Sequence, residues 1–319
     1  MIIAALVILG LCFGSFVNAL VWRMHEQSKR RPKKHVISSA GERSYLFKNR
    51  ISPLHWRSGR DDKRDELSVL HGRSMCPHCH HELAAKDLVP VLSWLWLRGK
   101  CRYCRQPISW QYPLVELATA AVFVGSYAWW PTAILERHGQ CPTPLLFQNA
   151  SWQNDATFVV WLAALVGLMA LIVYDLRWLL LPNRLVYPLG AAALIMAGLR
   201  LSVFDFQLTT WLNLLAAVLI GGGLFYALFQ VSAGKWIGGG DVRLGFVLGL
   251  LVATPARAFL LLFVAALGGS LISIPLLASG RLKRSSVIPF GPFLIIAAYV
   301  TYLFGTAIIH WYSHSLAGV

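Results

Sequence analysis

Two aspartates lie in segments that are otherwise almost entirely apolar: Asp175 in IVYDLRWLLLPN and Asp241 in IGGGDVRLG. An ionisable side chain at membrane depth is costly, and it usually marks a place where charge or protons are used. If the two carboxyls approach within hydrogen-bonding distance, they hold one proton between them and titrate as a unit. The ionised member can then take a proton from water while the neutral member polarises a peptide carbonyl. The pair therefore predicts a diaspartyl site for peptide hydrolysis.

A simpler explanation stays open for each aspartate. Asp241 follows the run Gly238–Gly240 and would also serve as the cap of a helix that begins there. Asp175 stands close to a basic residue and would also be an ordinary charge at the membrane surface. The glycine run favours catalysis, because glycine lets the backbone approach a substrate strand closely and accommodates irregular conformations at membrane depth.

Four cysteines form a second chemical pattern. They occur as two C-x-x-C motifs, Cys76 with Cys79 and Cys101 with Cys104, and 21 residues separate the motifs. This spacing lets two tight turns present four thiolates tetrahedrally to Zn²⁺, and a site of four cysteines leaves no open position for a catalytic water. The pattern therefore predicts a structural zinc ion. Disulfide bonds are the alternative, which a reducing cytoplasmic location disfavours.

The elements that carry the aspartates are predicted to be membrane helices. Hydrophobic residues make up 56% of the 319 residues and charged residues 13%, and the apolar runs are long enough to span a bilayer. Eight segments have this character: 1–22, 113–131, 157–174, 185–200, 211–231, 243–254, 257–279 and 287–311. The segment after Asp241 is short, so it is expected to cross the bilayer only partly or to tilt. The sequence predicts an all-α polytopic membrane protein with about eight transmembrane segments.

The positive charges are distributed unevenly along the chain and predict its orientation. Of 29 Lys and Arg residues, 19 lie between Arg23 and Arg105, and the loops that follow alternate between more and fewer basic residues. Summed over alternate loops, 26 fall on one side and 3 on the other. The positive-inside rule makes the first side cytoplasmic. Both termini are then predicted to be periplasmic, with both aspartates at cytoplasmic helix ends.

These patterns divide the chain into three predicted regions. Residues 1–22 form the first transmembrane helix, residues 23–111 a cytoplasmic loop domain with a zinc-ribbon-like site, and residues 112–319 a transmembrane bundle that contains both aspartates. The first helix is predicted to be retained and not cleaved as a signal peptide, because the positive charges follow its apolar run. The basic segment from about 28 to 70 receives no role beyond lying against anionic lipid.

Two other classes of protein would use some of the same features. A proton-coupled transporter would also place paired carboxylates in the membrane, but inverted-repeat symmetry with broken helices in both halves is not seen. A nucleic-acid-binding loop would interleave aromatic residues with its basic residues, whereas the tract 28–64 has only Tyr45, Phe47 and Trp56. Membrane lipid and not nucleic acid is therefore the expected partner of the basic loop.

The motifs taken together resemble those of the type IV prepilin peptidases, a family of bacterial membrane aspartic proteases. The matching stretches are Gly14-Ser15-Phe16-Val17-Asn18 with Arg23, Pro90-Val91-Leu92-Ser93-Trp94, Tyr112-Pro113-Leu114-Val115-Glu116, Asp175-Leu176 with Leu180-Leu181-Pro182-Asn183, Gly238-Gly239-Gly240-Asp241-Val242-Arg243-Leu244, and Ile288-Pro289-Phe290-Gly291-Pro292-Phe293. The family commonly has Asp where this chain has Asn183 and Lys where it has Arg243. Both positions lie outside the predicted dyad, so the resemblance stands.

The resemblance implies a multi-pass enzyme of the bacterial inner membrane with Asp175 and Asp241 as catalytic residues. Its substrates would be type IV prepilins and type II secretion pseudopilins, which carry a short basic leader, a glycine before the cleaved bond and a hydrophobic helix after it. Such a leader would stay on the cytoplasmic side, beside the dyad.

The resemblance also implies a second activity, methylation of the new N-terminal amine with S-adenosylmethionine, and it points to Gly99 and Lys100 as cofactor-binding residues. Composition and spacing do not show this activity independently, because the chain has no glycine-rich strand-turn-helix fingerprint for the cofactor. Lys100 would otherwise be an ordinary basic turn residue.

Overall fold

Eight long helices account for most of the chain that the structure describes. The computed structural model describes residues 1–30, 74–135, 152–203, 208–280 and 288–317. The helices are α1 Ile2–Arg30, α3 Gln111–Leu135, α4 Trp152–Trp178, α5 Asn183–Val203, α6 Leu208–Val231, α7 Gly239–Val252, α8 Pro255–Ala278 and α9 Gly291–Ala317, and the short helix α2 spans Leu92–Trp96. The basic segment predicted to lie against lipid falls, from residue 31 onward, outside the described residues.

All eight predicted apolar segments are helical, which confirms the all-α fold. Within the described ranges, five helices are long and apolar enough to cross a membrane: Ile2–Lys29, Trp152–Trp178, Leu208–Val231, Pro255–Ala278 and Gly291–Ser315. The predicted shortness of the segment after Asp241 is also found, because α7 has 14 residues. At 1.5 Å per residue it is about 21 Å long, less than the roughly 30 Å hydrocarbon core of a bilayer.

The chain forms two compact units, one made of Met1–Gly14 with Leu114–Val319 and the other of Ser15–Pro113. In the first unit, α7 packs against α5, α6 and α9. Its buried side is rich in leucine, valine and glycine, including Leu244, Leu248 and Val252. Helix α7 is therefore enclosed by its neighbours although it is short.

Glycines bring the backbones of α6 and α7 into direct contact. A Cβ atom at Gly245 would lie 2.5 Å from the carbonyl oxygen of Gly221, and one at Gly249 would lie 2.6 Å from the carbonyl oxygen of Ala217. Neither position has room for a side chain, as is usual for small residues four apart at helix interfaces in membranes. Opposite them α6 widens into a π-helical turn over Leu219–Gly223. This contact fixes the position of α7, which carries Asp241.

The part of the second unit that contains the cysteine motifs, residues 74–113, has little regular structure. Between residues 74 and 113 the strand pairing is limited to two isolated antiparallel bridges, Met75 with Glu82 and Lys100 with Pro107. Each bridge closes a turn that carries one C-x-x-C motif. The two cysteines that begin the motifs, Cys76 and Cys101, are each 4% exposed. Cys76 and Cys101 are therefore enclosed by the two turns, whereas Cys104 is partly exposed and Cys79 exposed.

Candidate active site

Asp175 lies in the last turn of α4 and is 5% exposed. Its Oδ2 atom is buried and has no hydrogen-bond partner. A buried carboxylate oxygen without a partner is costly, and its retention requires an explanation other than stability. Gly291, the first residue of α9, lies directly against this oxygen, because a Cβ atom there would be 2.6 Å from Oδ2. Only glycine fits at that position without moving the carboxylate.

Asp241 is the third residue of α7, and its position gives the capping explanation some support. The helix begins after Gly238, a residue without a side chain that could cap it. The backbone N–H of Gly238 donates a hydrogen bond to the Asp241 carboxylate. A carboxylate at the third helical position is stabilised by the helix dipole and by this bond. Asp241 also interacts electrostatically with Asp175, which a cap does not require.

Two helices pack against both of the helices that carry the aspartates. Helices α5 and α9 each pack against both α4, which carries Asp175, and α7, which carries Asp241. The aspartates are 66 positions apart in the sequence, yet the charge of one acts on the other. The fold therefore places two carboxylates of one compact unit in a common electrostatic environment, as a shared-proton site needs.

The loop between α4 and α5 contributes contacts that the sequence did not indicate. Leu181 in this loop touches both Gly240, which precedes Asp241, and Gly291, which touches Asp175. The guanidinium of Arg243 donates a hydrogen bond to Oδ1 of Asn183. Two residues that the sequence analysis places outside the dyad are thus bonded to each other. A sequence offers no direct sign of this bond, because 60 positions separate its partners.

The four predicted zinc ligands converge. The sulfur atoms of Cys76, Cys79, Cys101 and Cys104 all lie within 4.8 Å of one another, and those of Cys76 and Cys104 are 3.9 Å apart. Sulfur atoms at 2.3 Å from a tetrahedral zinc ion are about 3.8 Å apart. The donor set and its spacing therefore fit a Cys₄ metal site. All four thiols are free of disulfide bonds. Burial raises the pKa of Cys76 to about 12, so this residue becomes a ligand only when a cation displaces its proton.

The two cysteine turns have the same backbone hydrogen bonds. The N–H of His80 donates to the carbonyl of Cys76 and the N–H of Cys76 to the carbonyl of His81, at 2.9 and 3.0 Å. The same two bonds form between Arg105 and Cys101 and between Cys101 and Gln106, at 3.0 and 2.9 Å. Equal turns on opposite sides of the sulfur cluster are the geometry that a tetrahedral metal site requires.

Asp87 supports the second cysteine turn and was not predicted from the sequence. Its carboxylate accepts a hydrogen bond of 2.6 Å from Arg102 and one of 3.2 Å from the hydroxyl of Tyr103, the two residues between Cys101 and Cys104. Burial alone would raise the pKa of Asp87, but the hydrogen bonds from Arg102 and Tyr103 and the charge of Arg102 outweigh burial, so the pKa is lower than usual. Asp87 therefore stays ionised and holds the turn in place.

Gly99 and Lys100 have different environments. Gly99 is buried with φ of +67°, and a Cβ atom there would lie 2.9 Å from Cζ2 of Trp94. A left-handed backbone beneath an indole ring explains why glycine stands at this position. The side chain of Lys100 is exposed beside it. Gly99 thus shapes the turn, and Lys100 is the member of the pair whose side chain is available to a ligand.

Comparison with known proteins identifies the family. Residues 8–130 match the description "Bacterial Peptidase A24 N-terminal domain", and residues 162–274 match the type IV leader peptidase family. The first match contains the four cysteines and the second contains both aspartates. No solved structure matches the chain.

Curated relatives named prepilin leader peptidase/N-methyltransferase are similar over almost the whole chain. The Aeromonas hydrophila protein is 32% identical over 308 residues, which cover 95% of this chain and 91% of the relative. The Burkholderia pseudomallei (strain K96243) protein is 32% identical over 313 residues, which cover 95% of this chain and 86% of the relative. The Bacillus subtilis (strain 168) protein is 30% identical over 253 residues, which cover 77% of this chain and 87% of the relative. The chain belongs to the type IV leader peptidase family, which confirms the resemblance drawn from its motifs.

Proposed function

We propose that this protein is a membrane aspartic endopeptidase that removes the basic leader of type IV prepilins and type II secretion pseudopilins. The observation that carries the proposal is the buried carboxyl of Asp175, whose Oδ2 atom has no hydrogen-bond partner and which Leu181 connects to the residue beside Asp241, within the peptidase region of the family. Family membership favours this function over the proton-coupled transporter. The name of the relatives, prepilin leader peptidase/N-methyltransferase, supports prepilins as the substrate class, and the resemblance of the motifs adds the pseudopilins.

The proposed chemistry uses the two carboxyls as one acid–base unit. The ionised carboxyl accepts a proton from water while the water oxygen bonds to the carbonyl carbon of the scissile peptide, and the protonated carboxyl hydrogen-bonds the carbonyl oxygen. Collapse of the tetrahedral intermediate breaks the C–N bond, and the amine leaves with a proton from the dyad. Gly238 has no side chain to cover the Asp241 carboxyl, since a Cβ atom there would lie 3.3 Å from Oδ2, and this favours close approach of a substrate backbone.

The test is direct incubation of the purified full chain, in detergent or vesicles, with a candidate prepilin. We expect mass spectrometry to detect a product that lacks the leader and begins at the residue after the glycine. With S-adenosylmethionine present, the product should gain the mass of one methylene group. An intact precursor after incubation with several prepilins and pseudopilins would contradict the proposal.

We also propose that the chain methylates the new N-terminus with S-adenosylmethionine as the methyl donor. When bound, the cofactor would supply an electrophilic methyl group, and the deprotonated amine of the product would form the new N–C bond as the S–CH₃ bond breaks and S-adenosylhomocysteine leaves. The exposed Lys100 cation suits the cofactor's carboxylate, and Trp110, which is 67% exposed, has an indole face of the kind that binds a flat purine. The role of Gly99 in this proposal is to form the turn that presents Lys100.

Lys100→Ala tests whether the two activities are separable. The change removes the cation from the cysteine-containing unit and leaves both aspartates untouched, so we expect cleavage within about twofold of wild type and an unmethylated product. The matched control is Lys86→Ala, an exposed lysine of the same unit, which should retain both activities. Equal loss of cleavage and methylation in the Lys100 variant would mean that this loop binds the substrate for both steps. Full retention of both would make Lys100 an ordinary surface residue.

We propose that the protein resides in the bacterial inner membrane as a multi-pass protein with both termini periplasmic. The support is the placement of basic residues and the five long apolar helices. Alkaline phosphatase, which folds only in the periplasm, should be active when fused after the C-terminal helix and inactive when inserted at Gly280, between α8 and α9. The reverse pattern would invert the orientation.

The proposed partners follow from the same features. Prepilins or pseudopilins are the substrates, and lipid surrounds the apolar helices, whose exposed side chains on α8 include Phe259, Phe263 and Leu271. A nucleic-acid partner is not proposed. The basic tract on which that prediction was based lies outside the described residues, so it stays a prediction.

A further inference from the structure

The loop that joins α4 to α5 is built on the backbone of Asp175. The N–H of Leu179 donates a 2.8 Å hydrogen bond to the carbonyl oxygen of Asp175, and Leu179 has φ of +54°. A leucine in this left-handed region is uncommon, because its Cβ atom crowds the following carbonyl. The reversal ends α4 one turn after Asp175 and turns the chain back across the end of that helix. The position of the loop is thereby tied to the position of one aspartate.

Leu181, at the centre of this loop, lies between a residue next to Asp241 and a residue that contacts Asp175. On one side it packs against Gly240, where a Cβ atom would be 2.9 Å from Cβ of Leu181. On the other side it approaches Gly291, where a Cβ atom would be 3.5 Å from its Cδ2 and 2.6 Å from Oδ2 of Asp175. Leu181 thus separates the residue next to Asp241 from the residue that touches Asp175.

A hydrogen bond also connects the end of the same loop to the first turn of α7. Asn183 is the first residue of α5, and its Oδ1 atom accepts a hydrogen bond from the guanidinium of Arg243. Arg243 follows Asp241 by two positions. Both side chains are exposed, so the bond contributes little to the stability of the fold. It nevertheless fixes the start of α7 relative to the loop built on Asp175.

We propose that Leu181 and the Asn183–Arg243 bond are positioning elements that set the separation of the two carboxyls. This inference rests on the proposed peptidase function and adds residues that act on the reaction only through the dyad. The separation decides how strongly the two carboxyls influence each other, and hence how far apart the two apparent pKa values of the pair lie. The singly protonated pair is the active form, so the separation also sets the pH range of cleavage.

The first test compares Leu181→Ala with Leu180→Ala. Leu180 is the neighbouring loop residue, is 60% exposed and is therefore a matched control for the loss of the same side-chain atoms. We expect Leu181→Ala to lower kcat by about 10- to 100-fold with KM within about twofold, because a carboxyl misplaced by about 1 Å disturbs the reaction geometry. We also expect a narrower bell-shaped pH profile, since weaker coupling brings the two apparent pKa values together. Leu180→Ala should keep the wild-type kcat and pH profile.

Identical kcat and pH profiles in the two leucine variants would overturn the role of Leu181. Leu181→Met provides a second variant if the alanine protein is unstable, since it conserves the side-chain volume and should retain most of kcat. Thermal unfolding of all variants in one detergent distinguishes lost stability from lost positioning.

The second test is a double-mutant cycle on the surface bond. Asn183→Ala and Arg243→Ala should each lower kcat by about tenfold at most, and the double variant should be no worse than either single variant. Asn183→Asp keeps an oxygen acceptor for the guanidinium, so its kcat and pH profile should remain near wild type. Additive losses, or wild-type kinetics in both single variants, would overturn the role of the bond.

An independent readout separates this inference from the peptidase proposal. Infrared titration of the carboxyl stretching bands, with the Asp→Asn variants used for assignment, measures the coupling of the pair without any substrate. If wild type shows coupled carboxyls that Leu181→Ala uncouples, the positioning role holds whether or not prepilin is cleaved. If wild type cleaves prepilin and the bands of Leu181→Ala and Leu180→Ala titrate alike, the peptidase proposal stands and the positioning role fails.

Discussion

Replacing Asp175 or Asp241 with Asn should lower the rate of prepilin cleavage by at least about 10³-fold and leave the folded protein intact. The amide has nearly the shape of the carboxyl but cannot accept the proton of the attacking water. Folding should not suffer, because asparagine keeps the shape of aspartate and an oxygen that can accept the backbone N–H bonds from Gly291 and Gly238. Single-turnover mass spectrometry measures cleavage, and thermal unfolding in the same detergent measures stability.

The matched control for Asp175→Asn is Asp155→Asn. Asp155 lies in the first turn of the same helix, α4, and it too has a buried carboxylate oxygen without a partner. Both variants therefore lose a carboxylate of α4 that has one buried oxygen without a partner, but only Asp175 is proposed to act with Asp241. Asp155→Asn should cleave like wild type. Cleavage retained in Asp175→Asn or in Asp241→Asn would remove that residue from the mechanism.

The helical segments could be predicted from the sequence because long apolar runs have few alternative structures in a membrane. Their ends were less predictable, and the first helix shows the reason. The apolar run ends at residue 22, but α1 continues to Arg30, where Glu26 and Lys29 form a 2.9 Å ion pair one helical turn apart. Good helix formers and local ion pairs extend a helix beyond the apolar segment. A hydropathy profile does not detect helix formers or local ion pairs, so it does not predict this extension of the helix.

The convergence of the cysteines could be predicted because each C-x-x-C turn is determined by a few adjacent residues. The environment of the aspartates could not, because it depends on contacts between distant segments. Leu181 reaches Gly240 and Gly291 only because the chain reverses at Leu179, and a positive φ at leucine has no sequence signature. Asn183 and Arg243 were judged irrelevant individually, since a sequence does not show that they meet.

Removal of a zinc ligand should have the second largest effect on this protein, after replacement of an aspartate of the dyad. Cys76→Ser or Cys104→Ser is expected to reduce the zinc content from about one ion per chain to a small fraction of that value, and to unfold the turns around residues 74–107. Structural zinc sites contribute on the order of 10 kcal/mol to folding, far more than residues 74–112 obtain from apolar burial. The buried residues of this segment are Gly99 and the ligands Cys76 and Cys101. Elemental analysis and hydrogen exchange of this segment measure the two effects.

Cys12→Ser is the control for the cysteine variants, because Cys12 is an exposed thiol of α1 outside the cluster. It should retain the full zinc content and the exchange protection of residues 74–107. Unfolding of the cysteine turns should also release Lys100 from its fixed position, so Cys76→Ser should lose methylation, while the aspartates in the other compact unit keep the groups needed for cleavage. Wild-type protein purified without chelator and free of zinc, or a Cys76→Ser protein with full zinc content, would show that the four thiols do not hold a structural zinc ion.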